Sequence, residues 1–294
     1  MSSETIGFVG VGMMGHGMAK NIVEKGFPLT VHAHRNRAPV EDLVSRGAKE
    51  AGSPGELASA SSIVFLCLNG SPQVESAIAQ MKPQLKRGTV IVDCSTSDPV
   101  STVKLASELK EIGVDLADAP LGRTPKEAFE GTLDTMVGAQ PAVFERIKPV
   151  LETWAGKIVH IGDVGDGHRM KLLNNFLSLG YAALYSEALA LSQKVGISIQ
   201  RFDSVIRGGR MDCGFYQTFM DYSVNGNREA HKFTISNAYK DLKYLESMAN
   251  DATIATPLAS AAKNSFALAM ANGGNGAENY VPHLPDYIRK ANGI

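Results

Sequence analysis

The sequence is short of cysteine, of aromatics, of excess charge of either sign and of long apolar runs, and each shortage narrows what the chain can be. Its three cysteines, Cys67, Cys94 and Cys213, are odd in number and widely spaced, with no CxxC pair among 294 residues. That argues against a disulfide framework and a thiolate zinc site, and for buried, reduced thiols. Lysine and arginine number 29 against 30 aspartates and glutamates, a formal net charge of −1. No global field draws such a chain to nucleic acid or to an anionic membrane, so any affinity for anions must be local. The longest apolar run, Ile63 to Leu68, is far too short to cross a bilayer. The polar opening Met-Ser-Ser-Glu-Thr leads directly into a strand-like segment and does not read as a signal peptide. A soluble, cytoplasmic protein is the expectation. His32, His34, His160, His168, His231 and His283 are scattered without acids at ligand spacing, so no metal site is expected.

What the chain does have is glycine, 29 residues of it, with 44% apolar and 20% charged residues, the balance of a folded protein. Up to about residue 160, short runs rich in β-branched residues recur: 5–9, 29–33, 62–68, 89–93, 114–118, 132–137 and 157–161. Helical stretches at 15–25, 40–46, 74–81 and 99–112 fall between most of them, and 141–154 separates the last two. Alternating strands and helices predict a doubly wound, mainly parallel sheet, extended beyond a minimal nucleotide fold. After residue 163 the period changes. Met170, Leu173, Leu177, Tyr181, Leu184, Ala188, Leu191 and Val195 recur at gaps of three and four and predict one long amphipathic helix. Further helices are expected over 235–249 and 257–270. The expected fold class is therefore α/β: a doubly wound nucleotide-type sheet over 1–163, a long interdomain helix, and an all-α domain within 164–294. Apolar residues off the stripe, Leu172, Phe176 and Ala182, point to burial by a second subunit, so a homodimer is expected, with a tetramer as the larger alternative.

The sharpest motif is Gly10-Val11-Gly12-Met13-Met14-Gly15, after the first strand and opening a helix. The first glycine permits a tight turn, the second lets backbone approach a pyrophosphate, the third allows helix–strand packing, and the helix N-terminus offers amides to the anion. A tight strand–helix turn without a ligand is the plainer alternative. At the end of the second strand an NAD site normally carries an acid for the ribose 2′-hydroxyl. Here the turn reads Val31-His32-Ala33-His34-Arg35-Asn36-Arg37, with no acid. Guanidinium suits a 2′-phosphate, so NADP(H) is the expected cofactor, with His34, Arg35 and Asn36 at that phosphate. For Arg37 a solvated basic turn stays open.

Three further motifs follow: Asp93-Cys94-Ser95-Thr96-Ser97-Asp98-Pro99, Lys171-Leu172-Leu173-Asn174-Asn175, and Lys240-Asp241-Leu242. With the glycine loop, and with Asp118-Ala119-Pro120 through Gly131-Thr132-Leu133, they make nearly the whole chain resemble the β-hydroxyacid dehydrogenase family, which includes 3-hydroxyisobutyrate dehydrogenases. The resemblance implies an N-terminal Rossmann domain over 1–163, a helical substrate and dimerisation domain over 164–294, and NAD(P)-dependent chemistry at an alcohol or carbonyl carbon. It implies Lys171 as general acid in reduction and base in oxidation, and Asn174 and Asn175 at the substrate. It places Thr96 on the nicotinamide side, Ser95 with the substrate, Leu68 on the adenosine side (Asn69 replacing a common proline), and Lys240 at the cofactor. The residues suit that chemistry. Hydride delivery builds negative charge on oxygen, and Lys171, Asn174, Asn175 and Ser178 lie at i, i+3, i+4 and i+7 on one helical stripe. Plainer readings are a helix cap for Ser95 and Thr96 and a solvated face for Lys240.

Two places depart from the family. Its common pattern after Asp-Ala-Pro is a Ser-Gly-Gly loop gripping a carboxylate, where this chain has Leu121-Gly122-Arg123-Thr124-Pro125. Gly122, Arg123 and Thr124 resemble the branch of sulfolactaldehyde reductases and the related reductase of 2-oxopropylphosphonate in fosfomycin biosynthesis. That implies a small carbonyl substrate carrying a sulfonate or phosphonate. Arg207-Gly208-Gly209-Arg210 stands where the family has small residues. Arg210 is read as an anion ligand, against interdomain ion pairing with Asp212 or Asp221. The expected function is an NADPH-dependent reductase of a small anionic aldehyde or ketone. Its alternatives are a carboxylate-specific 3-hydroxyacid dehydrogenase and a non-catalytic NADP(H) sensor.

Overall fold

The computed structural model describes residues 4–33, 36–272 and 275–294. Among the described residues nine strands form one sheet: β1 (Ile6–Val9), β2 (Leu29–His32), β3 (Lys49–Glu50), β4 (Ile63–Leu66), β5 (Val90–Asp93), β6 (Asp115–Asp118), β7 (Leu121–Gly122), β8 (Leu133–Gly138) and β9 (Ala155–Gly162). The order is β3-β2-β1-β4-β5-β6-β8-β7, with β9 beside β8. From β3 to β6 every pairing is parallel; β8 meets β6 and β7 antiparallel and β9 parallel. This is the doubly wound sheet with an extended edge that the alternating pattern predicts. β1, β4 and β5 are buried along their whole length, as continuous apolar strands covered on both faces must be. β3 and β7 escape sequence reading because two residues carry no period.

By contact the chain divides into two units, Met1–Lys171 and Leu172–Ile294, with the boundary inside the long helix Asp166–Lys194 rather than ahead of it at residue 163. The second unit is helical among the described residues. Helices Ile199–Ile206, Gly214–Asn225, Ile235–Asp251, Pro257–Ala271 and Leu284–Ala291 surround a core that includes Tyr216, Phe219, Leu242 and Phe266.

The long helix faces the opposite way from its sequence expectation. Leu172, Leu179, Ala182, Ala183 and Leu189 are buried in the core of the second unit, and Phe176 packs against it. The regular stripe is the exposed one: Leu177 and Leu184 are each 61% exposed, Leu191 and Val195 each 63%. Period alone identifies a stripe. Which of two apolar sides turns inward depends on the partners that tertiary structure brings up. No helix of the described residues is long and apolar enough to cross a membrane.

In the first unit the helix after β1, Gly15–Glu24, docks on the short helix Pro125–Glu130. A Cβ at Gly17 would lie 2.5 Å from the backbone of Ala128 and Phe129, so glycine permits the contact. Asn21 seals it, its amide donating to the carbonyls of Gly17 at 2.8 Å and Ala128 at 2.9 Å. Gly17→Ala is expected to destabilise the protein by about 2 kcal/mol through overpacking against rigid backbone. Chemical denaturation of the variant beside the wild type measures it, and an unchanged midpoint would remove Gly17 from this interface.

Candidate active site

In an open parallel sheet, ligands lie beyond the carboxyl ends of the strands where the strand order reverses. Here that point lies between β1 and β4, and Gly10–Gly15 follows β1 directly. Gly10 has φ +96°, and a Cβ on it would lie 2.2 Å from the Cys67 carbonyl oxygen. A Cβ at Gly15 would lie 2.1 Å from the Gly10 carbonyl oxygen. Gly12 faces open space, and Met13 is exposed. Helix Gly15–Glu24 has neither a side-chain cap nor an acid in its first turn. The loop therefore has the form a dinucleotide pyrophosphate requires: tight turn, open second glycine and uncapped amides.

Two of the residues expected at a 2′-phosphate, His34 and Arg35, lie outside the described residues. Asn36 closes a local turn, its Oδ1 accepting from Ala38 N at 3.2 Å. Arg37 is engaged elsewhere, with Nη1 and Nη2 donating to both carboxylate oxygens of Glu50 at 3.1 and 3.0 Å. The acid missing from the turn thus arrives from β3, a strand the sequence does not reveal.

Ser95 is buried, and its hydroxyl accepts from Leu68 N at 2.9 Å, so it braces the ends of β4 and β5 against each other. Thr96 beside it is half-buried. Neither caps the following helix; Asp98 does, accepting from Val100 N at 3.0 Å. Cys67 and Cys94 sit in the same region, and burial pushes the Cys67 thiol up to about 12 and the Cys94 thiol well above its ordinary value, which makes them poor nucleophiles. Cys213 departs from the buried expectation: it is exposed and caps helix Gly214–Asn225.

Asp118, at the end of β6, is fully buried and accepts from Gly165 N and His168 N, each at 2.6 Å. His168 lies between Asp93 and Asp118, 3.8 Å from a carboxylate oxygen of each. Its Nδ1 is 2.9 Å from Thr102 Oγ1, and its Nε2 donates to the Ser95 carbonyl at 3.1 Å. These bonds clamp the first turn of the long helix to the carboxyl edge of the sheet. Lys171, half-buried, stands one turn further along. Sequence reading missed Asp118 and His168 as positioning groups; a histidine at i−3 from the lysine was the available signal.

The asparagines of the expected stripe separate. Asn174 is exposed, whereas Asn175 is buried and donates from Nδ2 to Asp241 Oδ2 at 2.7 Å. Lys240 Nζ lies 3.3 Å from Asp241 Oδ1 and 5.5 Å from the Tyr244 ring centroid. Asp241 therefore gathers Asn175 and Lys240, two of the expected ligand residues of the second unit. An acid on the apolar side of its helix, beside Ala238, Leu242 and Leu245, was the sign of it.

In the segment after Pro120, Gly122 pairs with Asp134 across β7 and β8. Thr124 caps helix Pro125–Glu130 with Glu127, its N–H donating to Glu127 Oε2 at 3.1 Å. Arg123 has φ +76°, a region non-glycine residues occupy at a cost of about 1–2 kcal/mol. Arg210 is exposed. The ion pairing weighed for the Arg207–Arg210 loop occurs with a different acid: Arg207 grips Asp203 at 2.8 and 3.0 Å, not Asp212 or Asp221. No group of histidine, cysteine and acids among the described residues could hold a metal ion.

The NAD-binding domain of 6-phosphogluconate dehydrogenase matches residues 5–162, and the NAD-binding domain of NADP-dependent 3-hydroxyisobutyrate dehydrogenase matches 165–281. The chain is 34% identical over 265 residues to 2-(hydroxymethyl)glutarate dehydrogenase of Eubacterium barkeri, covering 89% of this chain and 87% of that one. It is 29% identical to 3-sulfolactaldehyde reductase of Escherichia coli (strain K12), covering 91% of each. A solved 3-hydroxyisobutyrate dehydrogenase of Mycobacterium tuberculosis with L-serine superposes with a TM-score of 0.86 at 25% identity, over 97% of this chain and 99% of that one.

Burial raises the Asp118 carboxyl above its ordinary value of 3.8. The folded state then binds this proton more tightly than the unfolded state, so its contribution to stability falls as pH rises from about 4 through the folded value. Asparagine mimics the protonated form and does not titrate. The stability of wild type relative to Asp118→Asn is therefore expected to shrink as pH rises from acid to neutral, measured by urea denaturation at several pH values. A difference that grows with pH would contradict the assignment.

Proposed function

The chain belongs to the β-hydroxyacid dehydrogenase family, and on that premise we propose that it is an NADPH-preferring reductase of a small aldehyde or ketone bearing a sulfonate or phosphonate. That it is an NAD(P)-dependent oxidoreductase follows from the family. The observation carrying the finer reading is Arg123. In a segment where the family commonly has glycines, this chain keeps an arginine in a glycine-suited conformation, with its side chain 50% exposed. Strain of that kind persists where the surroundings require it, and a guanidinium fork matches an oxyanion headgroup.

In this reading Gly122, Arg123 and Thr124 hold the anion, and Arg210 is a further ligand for it. Asn175, oriented by Asp241, hydrogen-bonds the reacting oxygen together with Asn174. Lys171 donates the proton that neutralises the developing alkoxide, and takes it back in the oxidative direction. Thr96, Leu68 and Lys240 contact the dinucleotide, with Gly10, Gly12, Met13, Met14 and Gly15 around its pyrophosphate and His34, Arg35 and Asn36 at the 2′-phosphate. The bound nicotinamide supplies the hydride. A carboxylate-handling hydroxyacid dehydrogenase is the second reading, favoured by the similarity to the Eubacterium barkeri enzyme. A nucleotide sensor would need neither Lys171 nor the Asn175–Asp241 pair.

The deciding experiment is NADPH oxidation over matched carboxylate, sulfonate and phosphonate carbonyls, with two variants. Lys171→Ala should lose turnover by about a thousandfold while binding NADPH. Arg123→Ala should raise KM about tenfold or more for anionic carbonyls without lowering kcat equally. Turnover retained in the first would remove the acid role, and an unmoved KM in the second would return the loop to the carboxylate reading.

Arg35→Asp should move preference from NADPH toward NADH by about tenfold or more, through loss of a charge-assisted bond and repulsion of the 2′-phosphate. A constant ratio of the two kcat/KM values would sink NADP(H) preference through this residue.

We also propose that the protein is a cytoplasmic homodimer closed over the exposed stripe of the long helix, since Leu173, Leu177, Leu184, Leu191 and Val195 stand together in solvent on one continuous helix. Light scattering should report a dimer in the wild type. The double variant Leu177→Lys with Leu184→Lys should shift it to monomer; a wild-type monomer at micromolar concentration would refute the assembly.

A further inference from the structure

We propose that Asp134 determines specificity: its carboxylate, standing against the Arg123 guanidinium, tunes the anion-reading loop to a singly charged headgroup and against a doubly charged one. The inference rests on Arg123 reading the substrate anion, and it narrows the proposed substrates to the sulfonate.

Arg123 Nε lies 3.0 Å from Asp134 Oδ1. The ladder fixes where that carboxylate stands. Gly122 and Asp134 are cross-strand partners, and a Cβ at Gly122 would be only 3.3 Å from Asp134 Cβ. The next residue, Thr135, is buried, and its hydroxyl donates to the Pro120 carbonyl at 3.1 Å, tying β8 to the start of the same loop. On the other side Thr124 is held by its cap. Arg123 thus sits between two fixed neighbours, in a strained backbone, with an acid of fixed position beside it.

The form of this pair separates it from the other loop arginines. Arg37 and Arg207 each use two nitrogens on both oxygens of one carboxylate, the geometry of a structural strut. Arg123 makes one close approach through Nε. Asp134 Oδ1 is buried yet has no hydrogen bond among the described residues, so the contact is one of charge rather than of aligned donor and acceptor. The two terminal nitrogens of Arg123, the edge that binds an oxyanion in bidentate fashion, carry no hydrogen bond among the described residues. The loop therefore offers donors to a headgroup while its positive charge is already balanced. Glu127, whose carboxyl is held below the ordinary range by the Thr124 hydroxyl, adds a further negative charge at the same turn. A monoanion gains the bidentate bonds at little electrostatic cost. A second negative charge meets two fixed carboxylates.

The test compares 3-oxopropanesulfonate with 3-oxopropylphosphonate at about pH 9, because an alkylphosphonate loses its second proton at higher pH than a phosphate monoester and is there mostly doubly charged. Wild type should favour the sulfonate. Asp134→Asn, which removes the charge at constant size, should raise kcat/KM for the phosphonate about tenfold relative to the sulfonate, mainly through KM. Asp134→Ala, also lacking the charge, should shift the ratio in the same direction, and NADPH binding by both variants shows that they fold. A wild-type preference for the phosphonate, or an unchanged ratio in both variants, overturns the inference. Arg123→Ala keeps the two proposals apart. If it raises KM for both substrates while the Asp134 variants leave the ratio alone, Arg123 reads the anion and Asp134 does not tune it. If it leaves both KM values unchanged, the underlying reading fails instead.

Discussion

The buried carboxylate of Asp118 is the bond on which the placement of the candidate chemistry depends. It sits at the end of β6 without solvent and accepts two backbone amides from the start of the long helix at 2.6 Å each. Burial alone would push such a group toward neutrality; the amides, and His168 close by, oppose that. The approach is possible because residue 167 is glycine, where a Cβ would lie 2.4 Å from the Met136 carbonyl oxygen and 2.8 Å from Asp118 Oδ2. Lys171 then emerges from a helix whose first turn is fixed to the same sheet edge that carries the glycine loop. A lysine carried on a helix turn held in this way, in its proposed role as general acid, needs little backbone ordering when a substrate arrives.

The loop arginines of this chain are mostly compensated. Read along the sequence, Arg35, Arg37, Arg123, Arg207 and Arg210 look like a set of anion receptors spread over three loops. In the folded protein Arg37 belongs to Glu50 and Arg207 to Asp203, while Arg123 is balanced by Asp134. The partners lie 13, 4 and 11 residues away in sequence, and two of them sit on neighbouring strands, Glu50 on β3 and Asp134 on β8. Anion recognition becomes a matter of which nitrogens remain free, and charge counting by loop overstates it.

Much of the fold was legible because its signals are local. The parallel strands announce themselves as β-branched runs, since a strand covered on both faces has no polar side. The long helix shows its period over many turns, and Gly10–Gly15 needs only the order strand, loop, helix. The candidate ligands Lys171, Asn175 and Lys240 were visible as polar residues in apolar helices. The rest was hidden because it depends on distant pairs: β3 and β7 exist only through their partners, and Asp241, Asp118 and Asp134 act only on residues far from them along the chain. The long helix is the sharpest case. Its regular stripe reads as the buried face, and the structure buries the other side because Tyr216, Phe219 and Phe266 pack there.

Sequence by itself determined the class of the protein and the order strand, glycine loop, helix, and it supplied the candidates for moving a proton or holding an oxyanion, because glycine spacing, apolar period and residue chemistry are properties of neighbours along the chain. Only the tertiary structure decided which face of the long helix is covered, which asparagine is buried and oriented, and which arginine keeps donors to spare. Those outcomes are set by burial and by charge pairing across the fold, and both depend on distances that the order of residues does not contain.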